Sequence, residues 1–267
     1  MPKFAANLTM LFNELPFLDR FDAACRAGFT GVEYLFPYDH PVEPLLCRLR
    51  RCGLRQVLHN LPAGDWAAGE RGIACIPGRE AEFRDGVEQA IRYATTLGCT
   101  QLNCLVGIAP DGADAGEVDD TLMDNLRHAD ERLAGEGICL LIEPVNTRDI
   151  PGFHLNRTVQ ARRLIEAGGL TNTFIQYDIY HMQIMEGDLA RTIAANLDLI
   201  RHVQLADNPG RNEPGTGEIN YDFLFRHLDA LGYSGWVGCE YKPRAGTSDG
   251  LTWRPARSQP PPALAVA

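Results

Sequence analysis

Short apolar runs alternate with longer amphipathic segments along nearly the whole chain. Two of the runs, ICLLIE (138–143) and FIQYD (174–178), are apolar nearly throughout. Such runs are typical of parallel strands that are covered on both faces. The eight predicted strands are Lys3–Leu8, Gly31–Phe36, Arg55–Asn60, Gln101–Val106, Ile138–Glu143, Phe174–Asp178, His202–Ala206 and Trp236–Tyr241.

The segments between the strands have the apolar spacing of helices. In Arg79–Leu97, for example, Phe83, Val87 and Ile91 fall on one face, and Gly98 follows as a helix-stop signal. Alternation of strand and helix predicts βα units and therefore a parallel sheet. The six predicted helices are Pro16–Ala27, Arg79–Leu97, Thr121–Gly135, Thr158–Ala167, Leu189–Leu199 and Tyr221–Leu231.

Eight βα units in 267 residues favour an α/β fold of the closed (β/α)₈ TIM-barrel type, whose usual length is about 250 residues. The competing open sheet generally carries a glycine-rich phosphate loop after its first strand. This chain has only a lone G-x-G at 215–217, which is a weak signal. We predict a single catalytic barrel domain over residues 1–253. The Pro/Ala-rich tail, 254–267, has a composition typical of disorder.

The formal net charge of −10 argues against nucleic acid as a partner, because phosphate binding needs clustered Lys and Arg. A small anionic substrate remains compatible, since one local Arg can bind a carboxylate. The N-terminus lacks a signal-peptide pattern, and no stretch approaches the roughly 20 apolar residues of a membrane span. The eight cysteines form no C-x-x-C pair. These features predict a cytoplasmic protein with reduced cysteines and no membrane partner, and they leave homo-oligomerisation open.

Polar residues close most of the predicted strands, and in a barrel these strand ends converge on one mouth. The polar residues are Glu33, His59, Asn60, Asn103, Glu143, Asp178, Gln204 and Glu240. Carboxylates at the ends of strands 5, 6 and 8 would repel one another, and a divalent cation would resolve the conflict. Carboxylates and a Gln carbonyl are hard oxygen ligands suited to Mg²⁺ or Mn²⁺.

Each of these residues also has a structural interpretation. A single strand-end Glu is often a salt-bridge partner or a helix cap, and for Glu33 that interpretation is favoured. His59 is equally compatible with facing a ligand and with packing. His181 follows Asp178 by three residues, in the same loop, which favours a role in the site. The remaining histidines have no such setting and are expected at the surface or in packing.

Two long Gly/Pro-rich loops follow predicted strands 3 and 7, at 61–78 and 207–220. Loops of that length in a compact domain are usually functional or disordered, and after barrel strands they lie on the catalytic face. They carry Arg71 and Arg211, respectively. We therefore expect both loops at the mouth of the barrel.

Several long segments make the sequence recognisable. They are HNLPAGDWAAGERGIACIPGRE (59–80), LLIEPVN (140–146), IPGFHL (150–155), IQYDIYHMQ (175–183), QLADNPGRNEPGTGEINY (204–221) and WVGCEYKP (236–243). In these segments the chain resembles the hydroxypyruvate isomerase family, within the larger superfamily of xylose-isomerase-like barrels. The resemblance extends from about Phe4 to Trp253.

The resemblance implies a divalent metal, Mg²⁺ first and Mn²⁺ second, with a ligand set of Glu143, Asp178, Gln204 and Glu240. It also implies that Glu143 and Glu240 are the proton-transfer pair. Related sugar isomerases usually have His where this chain has Gln204, so the neutral amide predicts a weaker or less strictly required metal.

The activity implied is the interconversion of hydroxypyruvate and 2-hydroxy-3-oxopropanoate (tartronate semialdehyde) through an enediolate. The residues expected to bind this small keto acid are His59, Arg71, His181, Arg211 and Lys242. The nearest alternative is a 2-oxo-tetronate isomerase, or another isomerase or epimerase of short keto-sugar acids. An endonuclease-like or sugar-phosphate member of the superfamily is a further alternative, and the acidic composition disfavours a DNA-cleaving role. A barrel that only binds a sugar acid is disfavoured because both Glu residues are present.

Overall fold

The strands close into a parallel barrel in a computed structural model that describes residues 2–254. Each strand pairs with the next, and the last returns to the first, with Lys3 opposite Trp236 and Ala6 opposite Cys239. The predicted TIM barrel is thus confirmed, and the open sheet is excluded. Of the predicted tail, only Arg254 lies within the described residues.

The observed strands are mostly shorter at their C-terminal ends than the apolar runs suggested. They are β1 (Lys3–Asn7), β2 (Gly31–Glu33), β3 (Arg55–Asn60), β4 (Gln101–Cys104), β5 (Cys139–Ile142), β6 (Thr173–Asp178), β7 (Ile200–Leu205) and β8 (Trp236–Cys239). As a result, Glu143 and Glu240 directly follow their strands rather than closing them. Their side chains therefore start where the backbone leaves the ladder for the loops of the barrel mouth.

Eight α-helices surround the barrel in the described part of the chain. They are α1 (Phe17–Arg26), α2 (Val42–Cys52), α3 (Glu80–Leu97), α4 (Ala115–Gly135), α5 (Thr158–Gly168), α6 (Ile179–Met185), α7 (Leu189–Ala195) and α8 (Tyr221–Ala230). A 3₁₀ turn follows at Asp249–Leu251. None of these helices is long and apolar enough to cross a membrane.

The sequence prediction missed α2 and α6. Helix α2 buries Leu45 and Leu49 at a spacing of four residues and ends at Gly53, which has the left-handed conformation (φ 61°) typical of a helix stop. Those signals were present in the sequence. Helix α6 is only seven residues long, and its N-terminus is capped by Asp178, whose side chain accepts a hydrogen bond from the Tyr180 backbone nitrogen.

The interior of the barrel is polar near its mouth. The buried polar residues Asn7, Glu33, Asn103, Gln176 and Gln204 come from five different strands. They hydrogen-bond with one another or with the residues that follow the strands, for example Gln176 with Gln204. Buried polar groups need such partners, and here the closed barrel brings together groups that lie far apart in sequence.

Candidate active site

A cavity of about 540 Å³ opens at the C-terminal ends of the strands. The two long loops reach it, as expected, through Trp66 and Arg71 on one side and Pro209, Gly210 and Arg211 on the other. The cavity also brings together other residues predicted for the site: Glu143, His181, Gln204, Glu240 and Lys242. The predicted site residues from strands 5 to 8 and from both loops therefore converge on one mouth.

Glu143 is buried directly after β5. Its Oε2 accepts a hydrogen bond from Asn103 Nδ2 at 3.1 Å, and its Oε1 lies 3.8 Å from His181 Nε2. Burial, reinforced by the nearby carboxylates of Glu240 and Asp178, raises the pKa of Glu143 well above its usual range. A raised pKa favours the protonated form, which is the form that a general acid needs.

Glu240 is buried after β8 and accepts three hydrogen bonds. Its Oε2 accepts hydrogen bonds from Asn7 Nδ2 at 3.1 Å and from Gln204 Nε2 at 2.6 Å. Its Oε1 accepts one from Arg211 Nη2 at 2.8 Å. Burial raises the pKa of Glu240 to about 8, although the Arg211 charge acts in the opposite direction. Both members of the predicted proton-transfer pair thus have pKa values displaced toward the neutral range or above it.

Asp178 is completely buried and is not among the residues that line the cavity. Its Oδ1 caps helix α6, whereas its Oδ2 has no hydrogen-bond partner and lies 3.5 Å from His181 Nε2. Burial raises the pKa of Asp178 to about 6, against the opposing effect of Arg211. A buried carboxylate oxygen without a partner is costly, so this atom is suited to a proton or a cation.

His181 is buried between these carboxyl groups and Asn146. Its Nδ1 faces the Asn146 backbone nitrogen at 3.4 Å and the Asn146 side-chain nitrogen at 2.6 Å. A backbone N–H can only donate, so Nδ1 is the acceptor and the ring hydrogen belongs on Nε2. Burial, followed by the effect of Arg211, lowers the pKa of His181 well below its usual value. The ring is therefore a neutral donor directed at the carboxyl groups.

Glu143, Asp178 and His181 each place a potential ligand atom within 4.8 Å of the others. Two buried carboxylates and the unpartnered Asp178 Oδ2 fit a divalent cation. His181 would join as a ligand only by moving its hydrogen from Nε2 to Nδ1. The site can thus hold a metal, with one carboxylate oxygen of Glu143 and one of Asp178 lying 3.8 and 3.5 Å from His181 Nε2.

Gln204, which was predicted as a metal ligand, presents its nitrogen to the site. Its Nε2 donates to Glu240 and to Glu33, and its Oε1 accepts from Gln176 Nε2 at 2.6 Å. To offer its oxygen to a cation, the Gln204 amide would have to rotate by about half a turn. Gln176 could rotate with it and preserve the hydrogen bond between the two amides.

Arg211 lies in a loop whose backbone is held together by hydrogen bonds to Asp207. The Asp207 carboxylate accepts hydrogen bonds from five backbone nitrogens, those of Asn208, Gly215, Thr216, Gly217 and Ile219, at 2.9–3.0 Å. Arg211 itself has a positive φ of 55°, and its guanidinium lies 5.2 Å from the centre of the Tyr180 ring. The Nε of Arg211 is buried without a partner. This donor is free to bind an oxygen of a ligand.

The opposite loop places Arg71 against Trp66. The Arg71 guanidinium lies 4.1 Å from the Trp66 ring centre, and it donates to the backbone oxygens of Trp66 and Glu70. Trp66 is 37% exposed and packs its edge on Phe36. The aromatic contact and the two backbone hydrogen bonds hold Arg71 at the rim of the cavity. Lys242, at the same rim, is exposed.

His59 is not among the residues that line the cavity. It is completely buried, and its Nδ1 faces the Tyr38 hydroxyl at 3.3 Å. Burial lowers its pKa to about 4. This setting corresponds to the packing role that the sequence left open for His59.

Several residues of the site were missed or only noted in passing by the sequence prediction. Asn7 closes β1 as the other polar residues close their strands, so its position was a usable signal. Asn103 was noted at a strand end, and it now contacts Glu143. Gln176 lies inside a predicted strand, and only barrel closure shows that it pairs with Gln204.

Comparison with known proteins decides the family. Residues 21–257 match the family described as xylose isomerase-like TIM barrel. The chain belongs to this family. The resemblance inferred from the segments around Glu143, Asp178, Gln204 and Glu240 is thereby confirmed at the level of the family.

Two relatives in this xylose isomerase-like family cover nearly the same length of chain. Hydroxypyruvate isomerase of Escherichia coli K12 is 58% identical over 253 residues, which are 95% of this chain and 98% of the relative. The 2-oxo-tetronate isomerase of Cupriavidus necator H16 is 49% identical, with coverages of 95% and 97%. These relatives confirm the predicted enzyme class, an isomerase.

A solved structure of the same family has closely similar coordinates. The crystal structure named AP endonuclease, family 2, from Brucella melitensis superposes with a TM-score of 0.93 at 49% identity, covering 95% of this chain and 98% of that one. The two chains therefore share the barrel fold over nearly their whole lengths.

Proposed function

We propose that this protein interconverts hydroxypyruvate and 2-hydroxy-3-oxopropanoate by moving a proton between neighbouring carbons. The observation that carries the proposal is the pair of buried carboxyl groups, Glu143 and Glu240, at the wall of one cavity. Burial raises the pKa of both, that of Glu240 to about 8, and this favours proton exchange by the pair. The E. coli relative named hydroxypyruvate isomerase, at 58% identity, supports this choice of substrate.

The substrate's carboxylate needs positive charge within reach of the two Glu residues. Arg211 lines the cavity between the carboxyl groups and has a free buried Nε. Arg71 and Lys242 add charge at the rim. We propose that Arg211 binds the end of the substrate near the reacting carbons and that Arg71 and Lys242 attract and hold the carboxylate.

The proton transfer requires a base on one carbon and an acid on its neighbour. One of the two Glu residues removes the proton next to the carbonyl, giving an enediolate, and the other returns a proton to the adjacent carbon. The hydroxyl proton of the first carbon passes to the oxygen of the former carbonyl in the same conversion. The Nε2–H of His181 lies where it can donate to a substrate oxygen as negative charge develops there. Arg211, paired with Glu240, supplies a fixed positive charge to the same region.

We further propose that Glu143 and Asp178 hold a divalent cation, Mg²⁺ in the first place and Mn²⁺ in the second. Glu240 completes the proposed ligand set. Gln204, the fourth ligand that the family resemblance implies, keeps its nitrogen on Glu33 and Glu240 and would join only by breaking both hydrogen bonds. Such a cation, when bound, acts as a Lewis acid toward the substrate oxygens. The unpartnered Oδ2 of Asp178 supports this assignment.

A four-carbon 2-oxo-tetronate is a second candidate substrate. The cavity of about 540 Å³ leaves room for the one additional CHOH unit of such an acid, and the C. necator relative bears the corresponding name. A DNA-cleaving role is not proposed, because the net charge of −10 opposes binding to phosphates. We expect the protein to act in the cytoplasm.

An NMR assay of the purified protein tests these proposals directly. Hydroxypyruvate and 2-oxo-tetronates are incubated separately in D₂O, with EDTA or with added Mg²⁺ or Mn²⁺, and deuterium incorporation and product are followed. We expect hydroxypyruvate to be converted and its deuterium exchange to stop in Glu143→Gln. Product from the four-carbon acids alone would replace the first substrate by the second. Binding of the acids without exchange would contradict the assignment of an isomerase.

A further inference from the structure

A second buried carboxylate lies directly behind Glu240. Glu33, at the end of β2, is completely buried, and its Oε1 accepts hydrogen bonds from Asn7 Nδ2 at 3.1 Å and from Gln204 Nε2 at 2.8 Å. The same two nitrogens also donate to Glu240 Oε2. Each amide thus uses one hydrogen on Glu33 and the other on Glu240, and the two amides form a double bridge between the carboxylates.

Glu33 is itself fixed from behind. Its Oε2 lies 2.7 Å from His202 Nε2, and the other ring nitrogen of His202 lies 3.3 Å from Gln101 Nε2. The ladder between β2 and β3 is irregular between Val32 and Glu33, a feature that re-aims side chains locally. The orientation of Glu33 is therefore determined by its backbone as well as by its hydrogen bonds.

The neighbouring strand leaves the space that Glu33 needs. A Cβ placed on Gly238 in β8 would lie 2.3 Å from both carboxylate oxygens of Glu33. Gly238 pairs with Gln204 on the adjacent strand, so it lies beside the bridge. Glycine at this position is thus explained by the carboxylate of Glu33 rather than by an unusual backbone conformation.

We propose that Glu33 is a positioning residue: held by His202 and accommodated by Gly238, it orients the amides of Asn7 and Gln204 so that they fix the carboxylate of Glu240. Without an acceptor at Glu33, each amide would lose the partner that sets its direction. Glu240 would then keep only Arg211 as a fixed donor. This inference rests on the proposed proton transfer, in which Glu240 takes part.

The consequence is a loss of turnover rather than of substrate binding. A misdirected Glu240 no longer meets the reacting carbon in the geometry that proton transfer requires, whereas the groups that bind the substrate stay in place. We expect Glu33→Leu, which keeps a buried side chain but removes the acceptor, to lower kcat by about 10- to 100-fold. We expect KM to change by less than about threefold, because Glu33 does not contact the substrate.

Two further variants separate positioning from folding and from charge. Glu33→Gln retains one oxygen for the amides if its nitrogen faces His202. The ring hydrogen of His202 then moves from Nε2 to Nδ1, and the Gln101 amide turns its oxygen toward Nδ1. It should restore most of the turnover that Glu33→Leu loses. Gly238→Ala leaves the chemistry of Glu33 intact but displaces its carboxylate, and should reproduce the loss. The matched control is Gly86→Ala in helix α3, where the added Cβ meets Pro62 at an ordinary 3.4 Å.

Kinetics, thermal unfolding and side-chain amide NMR are measured for all four variants. Support requires reduced kcat and shifted NH₂ signals of Asn7 and Gln204 in Glu33→Leu and Gly238→Ala, with both restored toward wild type in Glu33→Gln. Unshifted amide signals, or equal losses of kcat in Glu33→Leu and Glu33→Gln, would overturn the proposal. If the wild type turns over none of the acids, the proposed function fails, and the amide signals still decide whether Glu33 orients the bridge.

Discussion

Replacing Glu143 by Gln should remove activity and at the same time stabilise the metal-free protein at alkaline pH. Glu143 is buried beside Glu240 and Asp178, and these surroundings raise its pKa well above the usual range. When the pKa of a carboxyl group is higher in the folded than in the unfolded state, its full contribution to stability is present at pH values below the unfolded pKa, near 4.5. That stabilisation is lost as the pH rises toward the folded pKa.

The expected size follows from linkage. While Glu143 stays protonated in the folded state and ionised in the unfolded state, the free energy of unfolding falls by about 1.4 kcal/mol per pH unit. One pH unit of this difference, about 1.4 kcal/mol, corresponds to about 3–6 °C in Tm for a chain of this length. Glu143→Gln abolishes this loss, so its advantage over wild type should grow with pH.

Thermal unfolding in EDTA at pH 5.5, 7.0 and 8.5 measures the effect, with Glu131→Gln on the exposed face of α4 as the matched control. Saturating Mg²⁺ or Mn²⁺ should raise the Tm of wild type more than that of Glu143→Gln. The bound cation neutralises the Glu143 carboxylate, which the variant lacks. Turnover of the variant should fall by about 10²- to 10⁴-fold. A Glu143→Gln protein that is less stable than wild type at pH 8.5, or that turns over normally, would refute the reasoning.

Three other changes test separate parts of the site. Asp178→Asn should weaken Mn²⁺ binding, measured by calorimetry, by at least about tenfold, because it removes a buried ligand charge; unchanged affinity would exclude Asp178 as a ligand. Arg211→Lys should lower kcat/KM by about 10- to 100-fold, since Lys cannot keep both the Glu240 contact and the free Nε donor. A loss below threefold would contradict the role of Arg211 in substrate binding. Arg71→Ala should raise KM by about threefold to tenfold with little change in kcat, as expected for a charge that only attracts the substrate; an equal fall in kcat would argue for a role in the chemistry instead.

The sequence by itself determined the fold and most of the residues at the mouth. The period of apolar runs indicated eight βα units, and parallel strands in a closed barrel leave only one face on which strand ends and long loops can meet. Glu143, Glu240 and Arg211 could therefore be assigned to one site before their positions were known. Two of these residues are acidic and follow apolar strands, and the third is an Arg in a long loop. Their chemical types also limited the reactions that the site could carry out.

Only the tertiary structure decided how these groups are connected. Hydrogen bonds between Glu33 and Gln204, or between Asn7 and Glu240, join residues that are 171 and 233 positions apart, and no local pattern encodes such pairs. The same holds for His59, whose sequence setting allowed either a ligand or a packing role. Its contact with Tyr38, 21 positions earlier, decides for packing. The repeat of apolar runs is a local property of the sequence. The direction of each buried amide and carboxyl group instead depends on which partners the closed barrel brings within reach.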